Sequence, residues 1–191
     1  MSNMNKLRNI ECVSFTGPRP KNEDKHSFSV EDIMQQLYKT IIKLIVEKEA
    51  TTFISGGALG FDQYAFQCVL WIQKRYPHIR NIMAIPFEEQ YKGWAEEQIK
   101  LYTTYKERAD EVVYVDELEL YQKKNRVKPG KFQGIKYQNR NEFMVDKCQL
   151  LVSLYDGNKE SGTYNCITYA KEQQVPILNL NLRNQLQYEM L

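Results

Sequence analysis

A glycine-rich turn in the stretch SGGALGFD, residues 55–62, has the composition of an anion site. Gly56, Gly57 and Gly60 allow the backbone to approach a ligand closely and to adopt positive φ. A helix is predicted directly after Gly60, and the first N–H groups of a helix lack partners within it. The turn is therefore predicted to bind a phosphate, with Asp62 accepting hydrogen bonds from a sugar. An ordinary strand-to-helix turn is the alternative, because G-G-x-x-G differs from the dinucleotide fingerprint.

Two further segments could contribute to the same kind of site. Arg19 lies between two prolines in TGPRP, so its guanidinium would lose little backbone freedom on pairing with a phosphate. Gly162 and Thr163 open another predicted helix and could supply N–H and hydroxyl donors. A solvated loop arginine and an ordinary helix N-cap are the alternatives.

Three more positions have residue types that suit a nucleotide. Arg140 and Asn141 stand near the start of a short helix predicted at about residues 139–147, where a cation gains nothing from the helix dipole, so Arg140 is expected to have a partner. Phe87 follows a strand and could stack on a base, although this position is also typical of a core aromatic. The complete predicted ligand-binding set is Gly17, Arg19, Ser55, Gly56, Gly57, Gly60, Asp62, Phe87, Arg140, Asn141, Asp156, Gly162 and Thr163.

No metal site is predicted. The two histidines, His26 and His78, are far apart in the sequence. The four cysteines are also far apart, lie in apolar segments and include no C-x-x-C pair, a pattern typical of buried free thiols. They are Cys12, Cys68, Cys148 and Cys166.

The composition suits one globular domain over residues 1–191. Because 26 Lys and Arg residues balance 24 Asp and Glu residues to a net charge of +2, the overall charge does not require a nucleic acid or a membrane surface, and nucleic acid is an unlikely partner. The longest apolar stretch, TIIKLIVEKEA, falls short of the roughly 20 residues that cross a bilayer, and the amino terminus has no apolar signal core. A cytoplasmic protein without a membrane partner is expected.

Short apolar segments alternate with helical patterns along the chain. Strands are predicted at residues 10–16, 51–55, 80–87, 111–115, 149–155 and 175–181, with helices between them and a capping box at Ser29 and Asp32. A basic inserted loop is predicted at about residues 118–137, and the tail at about residues 181–191 is predicted to end in a short helix. The alternation predicts an α/β domain, with a mostly parallel sheet of about six strands and helices on both faces.

Four unusual segments each follow a predicted strand: TGPRP, SGGALGFD, IPFEEQ and YDGNKESGT. In a parallel sheet the ligand binds at the carboxyl ends of the strands, near a topological switch point. The four segments are therefore expected to meet at one edge of the sheet.

These segments, together with RNEFMVDKCQLLVSLYDG and SGTYNCITYA, resemble the YpsA-like branch of the SLOG superfamily from Val13 to about Asn179. The motif GPRP departs from the G-H-R-P of that branch and removes a histidine. The resemblance implies a Rossmann-like fold and a pocket for a nucleotide or a nucleotide derivative, such as an ADP-ribose-like, NAD-derived or cyclic nucleotide ligand.

The superfamily includes LOG-type phosphoribohydrolases, which cleave N-glycosidic bonds with the motif P-G-G-x-G-T-x-x-E. In the matching stretch of this chain Thr163 is kept, but Cys166 stands where the catalytic glutamate would be. Glycoside hydrolysis needs carboxylates, and a thiol does not replace them. Asp62, Asp156 or Glu160 could supply one.

Three functions remain open. The first is non-catalytic binding of a nucleotide-derived ligand by a sensor, regulator or sequestering protein that needs no further cofactor. The second is an N-glycoside hydrolase that uses Asp62 and Asp156. The third is an interaction module whose inserted loop and tail bind a protein or a nucleic acid. The 13 tyrosines and 8 phenylalanines could also supply a homo-oligomer interface.

Overall fold

The computed structural model describes residues 9–19, 29–181 and 187–190. The strands are β1 (Cys12–Thr16), β2 (Thr52–Ser55), β3 (Arg80–Ile85), β4 (Glu111–Tyr114), β5 (Leu150–Ser153), β6 (Ile177–Asn181) and β7 (Gln187–Met190). The helices are α1 (Val30–Lys48), α2 (Phe61–Gln73), α3 (Glu96–Arg108), α4 (Glu119–Asn125), α5 (Ile135–Lys147) and α6 (Gly162–Glu172), with a short 3-10 helix at Val115–Glu117.

Helix α1 begins at the predicted capping box. The Asp32 N–H donates to Ser29 Oγ at 3.1 Å, and the Ser29 N–H donates to Asp32 Oδ2 at 3.3 Å. These bonds satisfy backbone donors that a helix start leaves without intrahelical partners. The sequence-based position of this helix start is therefore confirmed.

Seven strands form one sheet in the order β4-β3-β2-β1-β5-β6-β7. The first six are parallel, with Val13 of β1 paired to Phe53 of β2 on one side and to Leu150 of β5 on the other. Strand β7 is antiparallel to β6. The predicted α/β fold with a mostly parallel sheet of about six strands is confirmed, with one antiparallel edge strand added.

Helices cover both faces of the sheet. On one face α1 and α2 bury a core that includes Val13, Phe15 and Phe53. On the other face α5 and α6 bury a second core that includes Ile54 and Leu151. Because strand side chains alternate between faces, the central strands are apolar on both sides, as parallel strands under two helix layers require.

Three local expectations are wrong. The tail contains strand β7, not a helix, because the free edge of β6 supplies hydrogen-bond partners that local propensity does not report. The segment predicted as a loop at residues 118–137 contains helix α4 and the start of α5. Helix α5 begins at Ile135, so Arg140 lies inside the helix and not near its start.

All four cysteines are buried free thiols, as expected. Within residues 9–19, 29–181 and 187–190, no group of three or more His, Cys, Asp or Glu side chains is arranged to hold a metal ion. Pro20 and His26 lie outside the described residues. None of the helices built from the described residues has both the length and the apolar character to span a bilayer.

Candidate functional site

A pocket of about 370 Å³ opens at the carboxyl edge of the sheet. Strands β1 and β5 are neighbours there, and the chain continues from β1 toward β2 on one side and from β5 toward β6 on the other. This reversal is the topological switch point, where the two following loops diverge and leave space for a ligand. Eight of the predicted residues line the pocket: Gly17, Arg19, Asp62, Arg140, Asn141, Asp156, Gly162 and Thr163.

The glycine turn itself faces inward. The carbonyl oxygen of Gly56 accepts a hydrogen bond of 2.7 Å from Arg140 Nη1, and a Cβ on Gly56 would lie 1.7 Å from that nitrogen. Gly57 and Gly60 have φ of +65° and +88°, a conformation that glycine adopts without steric penalty. The glycines of this turn therefore meet requirements of the fold, and Gly56, Gly57 and Gly60 are not among the pocket-lining residues.

The backbone donors around this turn already have acceptors. The Ala58 N–H donates to Asp62 Oδ2 at 3.4 Å, and the Phe61 N–H at the start of α2 donates to the Pro18 carbonyl oxygen at 3.4 Å. A Cβ on Gly17 would lie 2.4 Å from the Phe61 ring, so the β1 loop packs directly on this helix start. Because a side-chain carboxylate and a carbonyl oxygen take these donors, the start of α2 is not an open phosphate site.

Asp62 and Arg140 form a buried ion pair at 3.4 Å. Burial raises the pKa of the Asp62 carboxyl above its usual range, and the nearby charges of Arg140 and Arg19 oppose that shift. Arg140 Nε also donates to Asn141 Oδ1 at 3.1 Å. The expected partner of Arg140 is therefore internal, and its guanidinium is largely occupied.

The start of α6 is the more open anion site. Ser161 caps the helix, since its Oγ accepts from the Tyr164 N–H at 3.1 Å, and Asn141 Nδ2 donates to the Gly162 carbonyl oxygen at 3.2 Å. Within the described part of the chain, the N–H groups of Gly162 and Thr163 have no hydrogen-bond partner. The first turn of α6 contains no acidic residue that could neutralise them.

Arg19 supplies a cation that faces this helix start from the loop after β1. It is exposed, lines the pocket, and is close enough to Asp62 to favour that carboxylate electrostatically. The pocket also contains carboxylates, because Asp156 and Glu160 line it from the loop after β5. Asp156 Oδ1 accepts from the Asn158 N–H at 2.9 Å. The pocket therefore combines anion donors with carboxylates that could accept from hydroxyl groups.

Sequence reasoning missed several lining residues, among them Tyr137, Asn158 and Ser161. Tyr137 and Asn158 lie in segments with several polar residues and had no local signal of their own. Two predicted residues lie elsewhere. Phe87 is buried, with its ring edge-on to Tyr137 at 5.6 Å, and Ser55 is buried with no partner for its Oγ among the described residues.

Cys166, at the position of the catalytic glutamate in the phosphoribohydrolase motif, is fully buried. Burial raises the pKa of its thiol to about 12. A buried, protonated thiol is neither a nucleophile nor a general base at neutral pH.

A larger open groove of about 540 Å³ runs between α5 and α6. It is lined by Ile135, Tyr164 and Tyr169, among others, and by none of the predicted ligand-binding residues. It follows the outer surfaces of two helices and does not lie at the ends of the strands. The switch-point pocket is therefore the stronger candidate for a small-ligand site.

Two solved structures have a similar fold. DNA processing protein A from Streptococcus pneumoniae matches with a TM-score of 0.57 and 16% identity over 93% of this chain and 53% of the other, so this chain spans about half of that protein. The Helicobacter pylori counterpart, whose structure was described for its single-stranded DNA binding mode, matches with a TM-score of 0.56 and 17% identity over 90% of this chain and 65% of the other. The expectation that nucleic acid is an unlikely partner is therefore wrong as an exclusion, because a protein of this fold binds single-stranded DNA.

Relatives and a family model agree with the resemblance seen in the motifs. The uncharacterized SPbeta prophage-derived protein YoqJ of Bacillus subtilis is 45% identical over 140 residues, which cover 73% of this chain and 81% of the relative. A UPF0398 protein of Halalkalibacterium halodurans is 28% identical over 141 residues, which cover 74% of this chain and 69% of the relative. The model of the YspA SLOG family matches residues 21–184. With the pocket at the expected switch point and most of its length matched by this model, the chain belongs to the YspA SLOG family.

Proposed function

We propose that the chain binds single-stranded DNA without catalysis, and that one nucleotide enters the switch-point pocket with its phosphate at the start of α6. The observation that carries this proposal is the pair of unpartnered N–H groups at Gly162 and Thr163, with Arg19 in the same pocket. Helix-start N–H groups and a guanidinium are the donors that bind phosphate most effectively in proteins.

The fold comparison supports DNA over a free nucleotide, which was the leading hypothesis from the sequence. The Helicobacter protein binds single-stranded DNA, and its fold matches 90% of this chain. At 17% identity that likeness concerns the fold alone, so the pocket chemistry must carry the argument for a phosphate ligand.

Two features support binding without N-glycoside hydrolysis. Cys166 replaces the motif carboxylate and is buried as a protonated thiol. Asp62, a candidate catalytic carboxylate, is buried and paired with Arg140 and the Ala58 N–H. Neither group is free to activate a water molecule.

Fluorescence anisotropy with a labelled oligo-dT of about 20 nucleotides tests the proposal. Saturable binding that weakens steeply with salt is expected, because phosphate contacts release counterions. Arg19→Ala should weaken binding by at least about tenfold, since it removes a charged hydrogen-bond donor. Arg108→Ala is the matched control, because it removes the same charge at the end of α3, away from the pocket. Absent binding at low salt, or equal affinity of the wild-type and Arg19→Ala proteins, would contradict the proposal.

A free nucleotide-derived ligand is the second candidate. It is favoured by the pocket volume of about 370 Å³, which suits one small ligand, and by Asp156, whose carboxylate could accept from a ribose hydroxyl. Mass spectrometry of the protein incubated with mixed nucleotides, NAD and ADP-ribose separates the candidates. A retained, unaltered nucleotide without oligo-dT binding would favour the second candidate, and a released base would indicate hydrolysis.

A further inference from the structure

Three aromatic rings connect the protein surface to the pocket. Phe132, between α4 and α5, is 71% exposed, and its ring lies edge-on to Phe87 with centroids 5.8 Å apart. Phe87 in turn lies edge-on to Tyr137 at 5.6 Å, and Tyr137 lines the pocket. We call Phe132, Phe87 and Tyr137 the aromatic row. Its exposed end leaves a large apolar ring in water next to a candidate phosphate site.

The segment that carries Phe132 is firmly anchored. Lys136 Nζ donates to Asp116 Oδ2 at 2.7 Å and to the Lys128 carbonyl oxygen at 2.6 Å. The Gly130 N–H donates to the same Asp116 oxygen at 2.9 Å. Both Lys136 and Asp116 are buried, so this lysine belongs to the fold and is not part of a solvated basic loop. Because the segment is anchored on both sides of Phe132, the exposed ring would lose little conformational entropy on binding a ligand.

Exposed cations surround the ring. Arg126, Lys128 and Lys131 are exposed, and none of them forms an ion pair with a carboxylate in the described part of the chain. By contrast, Lys123 pairs with Glu119 and Lys124 pairs with Glu142. Proteins that bind single strands combine such cations with aromatic rings on which bases stack.

We propose that the exposed end of the aromatic row is a base-stacking subsite. Phe132 stacks on the unpaired base of a nucleotide next to the one whose phosphate enters the pocket, and Lys128 and Lys131 neutralise phosphates along the strand. This inference rests on the proposed function and adds that the ligand is a strand of at least two nucleotides that crosses residues 126–134.

Binding of the labelled oligo-dT to four proteins tests the subsite: wild type, Phe132→Ala, Phe132→Trp and Trp71→Ala. Phe132→Ala should weaken binding by at least about fivefold, the loss typical of one base stack, and Phe132→Trp should retain affinity. Trp71→Ala is the control, because Trp71 is an exposed aromatic residue on α2 in the other helix layer. In Phe132→Trp, oligo-dT should also quench tryptophan fluorescence beyond the change seen with the wild type, because the new ring stacks on a base.

The outcomes separate the two proposals. If Phe132→Ala binds as tightly as the wild type while Arg19→Ala binds more weakly, the stacking subsite is overturned and the DNA-binding pocket stands. If Phe132→Ala and Trp71→Ala lose affinity equally, the specific role of Phe132 is overturned. If the wild type does not bind oligo-dT at all, the proposed function fails, and the subsite that rests on it fails too.

Discussion

The Nη1 atom of Arg140 donates a hydrogen bond of 2.7 Å to the carbonyl oxygen of Gly56, although the two residues lie 84 positions apart in the sequence. This contact joins the turn after β2 to the middle of α5 under the switch-point pocket. It requires glycine at position 56, because any Cβ would overlap the guanidinium. The glycine that most resembled part of a phosphate loop therefore holds the two halves of the site together.

Gly56→Ala is expected to lower the free energy of unfolding by about 1–3 kcal/mol, the usual cost of overpacking a buried site. Gly134→Ala is the matched control, because a Cβ there meets no atom within 4 Å and φ is −56°. Urea unfolding of both variants checks this expectation. Equal transition midpoints for the two variants would contradict it.

Asp62 should make the stability of the protein depend on pH. Its pKa is raised by burial in the folded state above the value of about 4 in an unfolded chain. Between these two pKa values the folded state binds more protons than the unfolded state, so the contribution of Asp62 to stability falls as pH rises. The free energy of unfolding of the wild type should therefore decrease relative to that of Asp62→Asn from about pH 4 upward. Urea unfolding across this range measures the difference, and a constant difference would refute the expectation.

Gly162→Glu should separate folding from phosphate binding. A side chain at Gly162 meets no atom within 4 Å, and an acidic residue in the first helical turn stabilises the helix dipole. We therefore expect unchanged or slightly higher thermal stability but at least about tenfold weaker oligo-dT binding, because the new carboxylate repels phosphate. Gly162→Gln, with similar size and no charge, should retain more affinity than Gly162→Glu. Equal affinities for the two variants would argue against a phosphate at this helix start.

Lys136→Met should loosen the segment that presents Phe132. Removing the lysine leaves the Asp116 carboxylate buried without its cation, a change that typically costs about 3–5 kcal/mol. Hydrogen exchange at the Gly130 amide, which donates to Asp116, should become faster than in the wild type. Adding Asp116→Leu to this variant should restore part of the lost stability, because it removes the unpaired charge. Unchanged exchange at Gly130 would show that this ion pair does not anchor the segment.

The sequence was sufficient for the architecture. The alternation of apolar strands and amphipathic helices predicted the parallel sheet, and the Ser29 capping box marked the start of α1. The segments after β1, β2 and β5 meet at one pocket, because parallel strands present their carboxyl ends at the same edge. The motifs also indicated the family to which the chain belongs.

The direction in which each polar group points was decided only by tertiary structure. Arg140 and Asp62 read as ligand-binding residues, but they pair with each other because burial forces charged groups to find partners within the protein. Lys136 read as part of a solvated basic loop, but it is buried on Asp116, a contact between residues 20 positions apart. Strand β7 depends on the open edge of β6. Local sequence determines which elements form, whereas the partners of buried charges and the pairing of edge strands depend on long-range contacts that periodicity does not encode.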